Sequence, residues 1–237
     1  MLDRAALRAA DVVWNVSERI TERRSRQGVP DADNVSIPNA PSFDPSLVLP
    51  YEARTPESVV MVGSLDPILD ETMLLDCLEL LLGLRPNVAV TIVGTGSGAD
   101  GFRAEVVRRG LEENVRLTGH LPRTEALSVV RDSRVGLAFY SGRATWNEYG
   151  DSVKVREYLA SGVPVVTTRN HAVAPELEWS GAGVLVDDAI QAATAIDALL
   201  GGAGAEAARR AAAMGQAYDR DAILGRAVAD LARRLRS

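Results

Sequence analysis

Lys154 is the only lysine in a chain of 237 residues with 26 basic side chains. It stands three residues before Glu157 in the segment GDSVKVREYLASG, residues 150–162. Asp151 or Ser152 is a good N-cap, so a helix starts there. First-turn amides have no partners within a helix, and the dipole is positive at that end, which makes a helix start an anion site. A cation in the first turn opposes the dipole at a cost of about 0.3–1 kcal/mol. That cost is understandable where an anion is to be bound. A compact ammonium with three donors serves phosphate oxygens where a guanidinium fork would not fit. Glu157, three residues on, lies on the same face with Cβ atoms about 5–6 Å apart, and a carboxylate suits a vicinal diol such as ribose. Together the pair is equipped to hold a nucleoside diphosphate. The competing reading is an ion pair on a solvated face, with one lysine surviving by chance.

Such a helix start must be presented by a scaffold, and the chain from Ser58 onward supplies one. Short β-branched apolar runs at 58–64, 87–94, 114–119, 135–140, 164–168 and 182–187 read as buried strands. Between them, 70–84, a stretch through Arg109, 123–132 and 152–161 read as helices, and the chain after Ala189 is alanine-rich and helical to its end, interrupted by GGAG at 201–204. The alternation predicts an α/β fold, a Rossmann-like parallel sheet with helices on both faces. Ligands of such sheets bind outside the carboxyl ends of the strands. The strand-end residues Gly63, Ser64, Gly94, His120 and Leu121 and the turn 141–151 are therefore candidates, though glycines there are equally turn residues. Residues 94–98, GTGSG, imitate a dinucleotide loop but lack its continuation, which disfavours an NAD-dependent oxidoreductase.

Bulk properties exclude other classes. Net charge is −6, so bulk electrostatics recruit neither nucleic acid nor an anionic membrane. The apolar stretches are too short to cross a bilayer, and the charged opening is no signal peptide, leaving at most peripheral membrane association. Cys77 is alone, which suits a reducing compartment; a cytoplasmic location is the expectation. His120 and His171 have no Cys or His partner at metal-ligand spacing, so no metal site is expected.

The first 50 residues differ in character. Residues 11–17 and 34–39 read as strands, and 2–10 and 17–27 as helices, followed by the Pro-rich PSFDPSLVLP. A boundary near 41–56 divides residues 1–45 from a larger unit, 46–237. Two strands and two helices make too small a core to stand alone.

The segment GDSVKVREYLASGVPVVTT resembles the donor-site signature of retaining glycosyltransferases of the GT-B fold, family 4. SVVMVGSLDPILDETMLLDCLELLLGLRPNVAVTIVG is similar to that family's first strand–helix–strand unit, and VSIPNAPSFDP to its interdomain linker. The resemblance implies the C-terminal, donor-binding half of such an enzyme, preceded in residues 1–45 by the tail of the acceptor domain. It also implies that Glu157 binds ribose hydroxyls and that Lys154 meets the diphosphate or the neighbouring sugar, beside the amides of Gly150, Asp151, Ser152 and Val153. His120 and Leu121 would lie against the base, with Gly63 and Ser64 near the phosphates. Two departures stand out. Where many members carry a glutamate for the donor sugar, this chain has Tyr149, with Glu148 before it; and residues 64–69 supply no positive charge. Neutralisation of the leaving diphosphate then falls to Lys154 and Arg143, alongside Glu157 the expected catalytic group.

The expected function is transfer of a sugar from a UDP-, GDP- or ADP-sugar, with no separate cofactor, to a carbohydrate, lipid or small-molecule acceptor. The alternative is a non-catalytic nucleotide-sugar-binding module acting with a partner chain. Truncation, a mis-assigned start and a split enzyme completed by an acceptor-domain partner all fit the short first block.

Overall fold

A computed structural model describes residues 2–142, 145–234 and 236. The chain opens with α1 (Leu2–Ala9), β1 (Val13–Asn15), α2 (Glu18–Arg26) and β2 (Asn34–Ser36). β1 and β2 pair in parallel, Trp14 opposite Val35. Both strands are shorter than their apolar runs, and β1 ends where Ser17 turns to cap α2, its hydroxyl accepting from the Ile20 amide.

Six further strands form one parallel sheet: β3 (Ser58–Val62), β4 (Ala89–Val93), β5 (Val115–Gly119), β6 (Val135–Ala138), β7 (Val165–Thr168) and β8 (Gly183–Val186). Their spatial order is β5-β4-β3-β6-β7-β8. Chain direction across the sheet therefore reverses between β3 and β6, and the crevice outside their carboxyl ends is where such sheets place ligands. The helices are α3 (Glu71–Leu84), α4 (Ala99–Arg108), α5 (Arg123–Asp132), α6 (Val153–Ala160), α7 (Ala174–Ser180), α8 (Ala189–Leu200), α9 (Gly204–Ala217) and α10 (Arg220–Arg234). α7 has no counterpart among the sequence-predicted elements. It starts at a proline and ends at Gly181 in the left-handed conformation, φ 65°.

The period-2 alternation of the strands divides the core into two faces. Val59, Met61, Val90, Ile92 and Leu137 pack with Leu74, Leu78 and Leu81 of α3 and Ile196 of α8. Val60, Val93, Ala138 and Val165 pack with Val130 of α5, Val155, Tyr158 and Leu159 of α6, and Met214 of α9. Among the described residues, no helix is long and apolar enough to cross a membrane.

Candidate functional site

The site is assembled where β3 and β6 part. Their pairing ends at Met61 opposite Leu137, whereas β3 and β4 stay in register through Val62 and Val93. Beyond that point the Val62 amide donates to Tyr158 Oη at 2.7 Å, and the hydroxyl donates to the Leu137 carbonyl at 3.2 Å. Tyr158 is fully buried, which pushes its phenol well above the usual range and keeps it a neutral donor. Two glycines let α6 come this close. A Cβ at Gly136 would lie 2.7 Å from the Tyr158 ring, and one at Gly215 of α9 would overlap the Leu159 carbonyl. α6 is thereby clamped with its N-terminus at the crevice.

Ser152, not Asp151, caps that terminus: its hydroxyl accepts from the Val155 amide at 3.3 Å and is hydrogen-bonded to the Tyr140 hydroxyl. Val153 is exposed at the first helical position. Lys154 follows. Its ammonium lies over the Tyr140 ring, 5.0 Å from the centroid, and against Gly63, where a Cβ would stand 2.8 Å from Nζ. Among the described residues no carboxylate pairs with it. Burial lowers its pKa from the usual 10.5 to about 8. A desolvated cation at a helix start, with no carboxylate partner among the described residues, is set up to receive an anion.

The strand ends around it are stepped. The Gly63 amide donates to Val93 O and the Gly94 amide to Gly119 O, each at 2.9 Å. Gly63 and Gly94 take φ of 147° and 141°, and a Cβ at Gly94 would overlap the Gly63 carbonyl. Both positions therefore require glycine, Gly94 for backbone-on-backbone packing and Gly63 for the close approach of the Lys154 side chain. Gly96 and Gly98 serve the next layer, since a Cβ on either would lie under 3 Å from the Leu65 backbone. The Asp66 carboxylate fixes this layer. It accepts from the Ser97 amide at 2.7 Å, from the Ser97 hydroxyl and from Ser64, and these bonds lower its pKa.

Gly63, Ser64, Gly94, His120, Leu121 and Glu157 line one cleft of ≈ 360 Å³ beside β3 and α6. Glu157 is 18% exposed, and its Oε1 accepts from Arg123 Nη2 at 2.7 Å and Nε at 3.1 Å. Sequence reasoning missed Arg123. The signal was available: like Lys154, it is a cation in the first turn of a helix that follows a strand end.

The remaining expected residues sit on the other side of the α6 start. The Asp151 carboxylate is buried, paired with Arg156 at 3.0 Å and accepting the Asn39 amide at 2.8 Å. Arg156 also reaches Glu176 at 2.8 Å and stacks on Tyr218. Gly150 accepts from the Ala172 amide and donates to Asn147 O. The Tyr149 carbonyl accepts from Ser17 Oγ at 2.6 Å, and its ring lies under Arg23. Arg143 lies outside the described residues.

His171 is buried behind Tyr140, ring centroids 5.2 Å apart. The Thr167 hydroxyl donates to Ala138 O at 2.6 Å and so accepts from His171 Nε2–H at 3.0 Å, leaving Nδ1 a bare, unpartnered acceptor. Burial, with Arg19, Arg156 and Lys154 nearby, lowers its pKa to about 3. Among the described residues no cluster of His, Cys, Asp and Glu has the makings of a metal site.

The family described as "Glycosyl transferases group 1" matches residues 56–201. Among curated proteins, none matches the sequence. TarM from S. aureus, in a variant solved with fondaparinux, alpha-GlcNAc-glycerol and UDP, superposes with a TM-score of 0.76 at 19% identity, covering 96% of this chain and 45% of its own. HepE from Anabaena, in complex with UDP, gives 0.76 at 19% identity, covering 96% and 65%. The pneumococcal O-GlcNAc transferase GtfA, in complex with UDP and GlcNAc, gives 0.81 at 16% identity, covering 100% and 47%. At these identities the likeness is one of fold. The chain spans between 45% and 65% of the length of these three proteins.

Proposed function

The chain belongs to the group 1 glycosyl transferases, and on that premise we propose that it moves a sugar from a nucleoside diphosphate to an acceptor hydroxyl with retained configuration. Residues 46–237 hold the donor in this reading, and residues 1–45 belong to the side that faces the acceptor. The observation that carries it is the Lys154 ammonium, desolvated and without a carboxylate partner among the described residues, packed on Gly63 where β3 and β6 part. When the bond from the anomeric carbon to the diphosphate oxygen breaks, negative charge grows on the leaving diphosphate. Lys154 and the open amides of the α6 start stabilise that charge from fixed positions in a partly dry site, where each is worth more than in water. Glu157 accepts the ribose hydroxyls, and the apolar wall of the cleft by Leu121 takes the base. UDP is the nucleotide to test first, because the solved relatives TarM, HepE and GtfA carry it. Positioning of the acceptor hydroxyl supplies much of the remaining rate enhancement.

Isothermal titration with UDP, GDP and ADP tests the reading. The wild-type chain binds one of them, and Lys154→Ala and Glu157→Ala each weaken binding at least tenfold while the circular dichroism spectrum is unchanged. Unchanged affinity in both variants sinks the assignment.

A further inference from the structure

We propose that Arg123 is a second diphosphate-binding cation, held on Glu157 while the site is empty and transferred to the phosphates when a nucleotide enters. The proposal rests on the nucleotide-site reading above and adds a residue to it.

Three observations converge on Arg123. First, it occupies the first helical position of α5, where the helix dipole disfavours a positive charge. Lys154 shows the same anomaly in the first turn of α6. Two helices thus begin beside one crevice, each with a cation where its own electrostatics argue against one. Second, the guanidinium spends two donors on a single carboxylate oxygen, Glu157 Oε1. The Arg123 side chain is 68% exposed, so the pair is cheap to break. An arginine carries five donors, which leaves most of them free. Third, the segment that follows Gly63, residues 64–69, contains no basic residue. Its Asp66 instead brings a negative charge, used to tie the Ser97 loop. Of the residues lining the cleft, Arg123 is the one described cation besides Lys154 at its margin.

The charge balance follows from these placements. Arg123 cancels Glu157, and Lys154 has no carboxylate partner among the described residues. A diphosphate brings at least two negative charges, more than one ammonium neutralises. The ribose hydroxyls are donors that compete with the guanidinium for the Glu157 carboxylate. In the proposed exchange a furanose ring held on Glu157 carries its 5′-phosphate into the cleft that Arg123 and Glu157 both line, and the exposed Arg123 side chain turns about its own Cα to meet it. The guanidinium fork matches phosphate oxygens in two-point geometry, so the exchange replaces an exposed pair with a charge-assisted one.

Comparing UDP with uridine isolates the phosphate contribution. Arg123→Ala is expected to weaken UDP binding about tenfold, the scale of one charge-assisted hydrogen bond, while uridine binding stays constant or tightens as Glu157 is released. Arg123→Lys restores part of the loss, and the salt dependence of UDP binding is shallower in Arg123→Ala. Equal weakening of UDP and uridine means that Arg123 only braces Glu157, and it overturns the proposal. Tightening of both ligands means a simple competitor and also overturns it. If wild-type protein binds UDP, Lys154→Ala abolishes that binding and Arg123→Ala leaves the UDP-to-uridine ratio intact, the role of Arg123 falls and the site reading stands. If wild-type protein binds GDP or ADP in place of UDP, the same comparison is made with that nucleotide and its nucleoside; if it binds none of the three, the site reading beneath it falls.

Discussion

Replacing Lys154 with methionine should stabilise the ligand-free protein while destroying the proposed nucleotide site. Methionine keeps an unbranched chain of similar length against Gly63 and Tyr140 and removes only the charge. Burial depresses the Lys154 pKa from 10.5 to about 8, which at about 1.4 kcal/mol per pH unit corresponds to about 3 kcal/mol. Lys154 as a whole residue is only half-buried, so that figure is an upper value. Loss of the contact with the Tyr140 ring returns about 0.5–1 kcal/mol, leaving a net gain of about 2 kcal/mol. For a chain of this size that is roughly 4–8 °C in Tm. The sign follows from proton binding. Between pH 8 and 10.5 the unfolded lysine holds a proton that the folded one has released, so the folded state gains relative stability as pH rises through this window. The penalty in the wild-type chain is thus full below pH 8 and gone by about pH 10.5. Differential scanning calorimetry at pH 7 and pH 10.5 reads it directly: Lys154→Met melts higher at pH 7, and the difference closes at pH 10.5. Other titrating groups are common to both proteins and cancel. A lower or equal Tm for the variant at pH 7 refutes the desolvated, unpaired ammonium.

Gly63→Ala puts a Cβ 2.8 Å from Lys154 Nζ on a backbone with φ of 147°. It should cost about 1–3 kcal/mol of stability and at least tenfold in UDP affinity by titration, the second effect exceeding what the first explains. Arg156→Met strands the buried Asp151 carboxylate and releases Glu176. The expected loss is about 3–5 kcal/mol in chemical denaturation, with faster proteolytic cleavage between residues 36 and 45. His171 is neutral when folded, with its pKa lowered to about 3, so below pH 6.5 only the unfolded chain takes up its proton. Stability should fall as pH drops from 6.5 towards 3, and His171→Gln should flatten that slope in acid-denaturation curves.

The sheet was legible because its strands are short β-branched runs closed by glycine, and burial on both faces of a parallel sheet demands such runs. α6 was legible because a cap, a helical apolar face and Gly162 bound it on both sides. α7 was not: seven residues of APELEWS offer too little periodicity, and only the proline at its start and Gly181 at its end mark it. The Lys154–Glu157 half of the candidate site could be read from local spacing. The other half is long-range. Arg123 meets Glu157 across 34 residues, and Asn39 meets Asp151 across 112. Asn39 carries no local mark of its partner, and Arg123 carries only its place in the first turn of a helix after a strand end. Gly96 and Gly98 imitated a phosphate loop for a related reason: glycine marks close approach of backbone, and here the approaching group is the Leu65 peptide rather than a ligand.

The segment before α6 ties two parts of the molecule to one point. Ser17 bonds the Tyr149 carbonyl, Arg19 the Glu148 carbonyl at 2.8 Å, and Asn39 both the carboxylate and the carbonyl of Asp151. One residue later the chain enters the Ser152 cap and then Lys154. The first forty residues therefore grip the same turn that sets the direction of the α6 amides. Asp151 shows how firmly, since its charge is held by Arg156 inside the protein and its second oxygen by the Asn39 backbone. A shift of residues 1–45 against the sheet would have to move that turn or break the hydrogen bonds of Ser17, Arg19 and Asn39 to it. The proposed anion site and the docking of the first segment are thus mechanically one feature. The sheet fixes α6 from below through Gly136 and Tyr158, and the first segment fixes its entrance through Asp151.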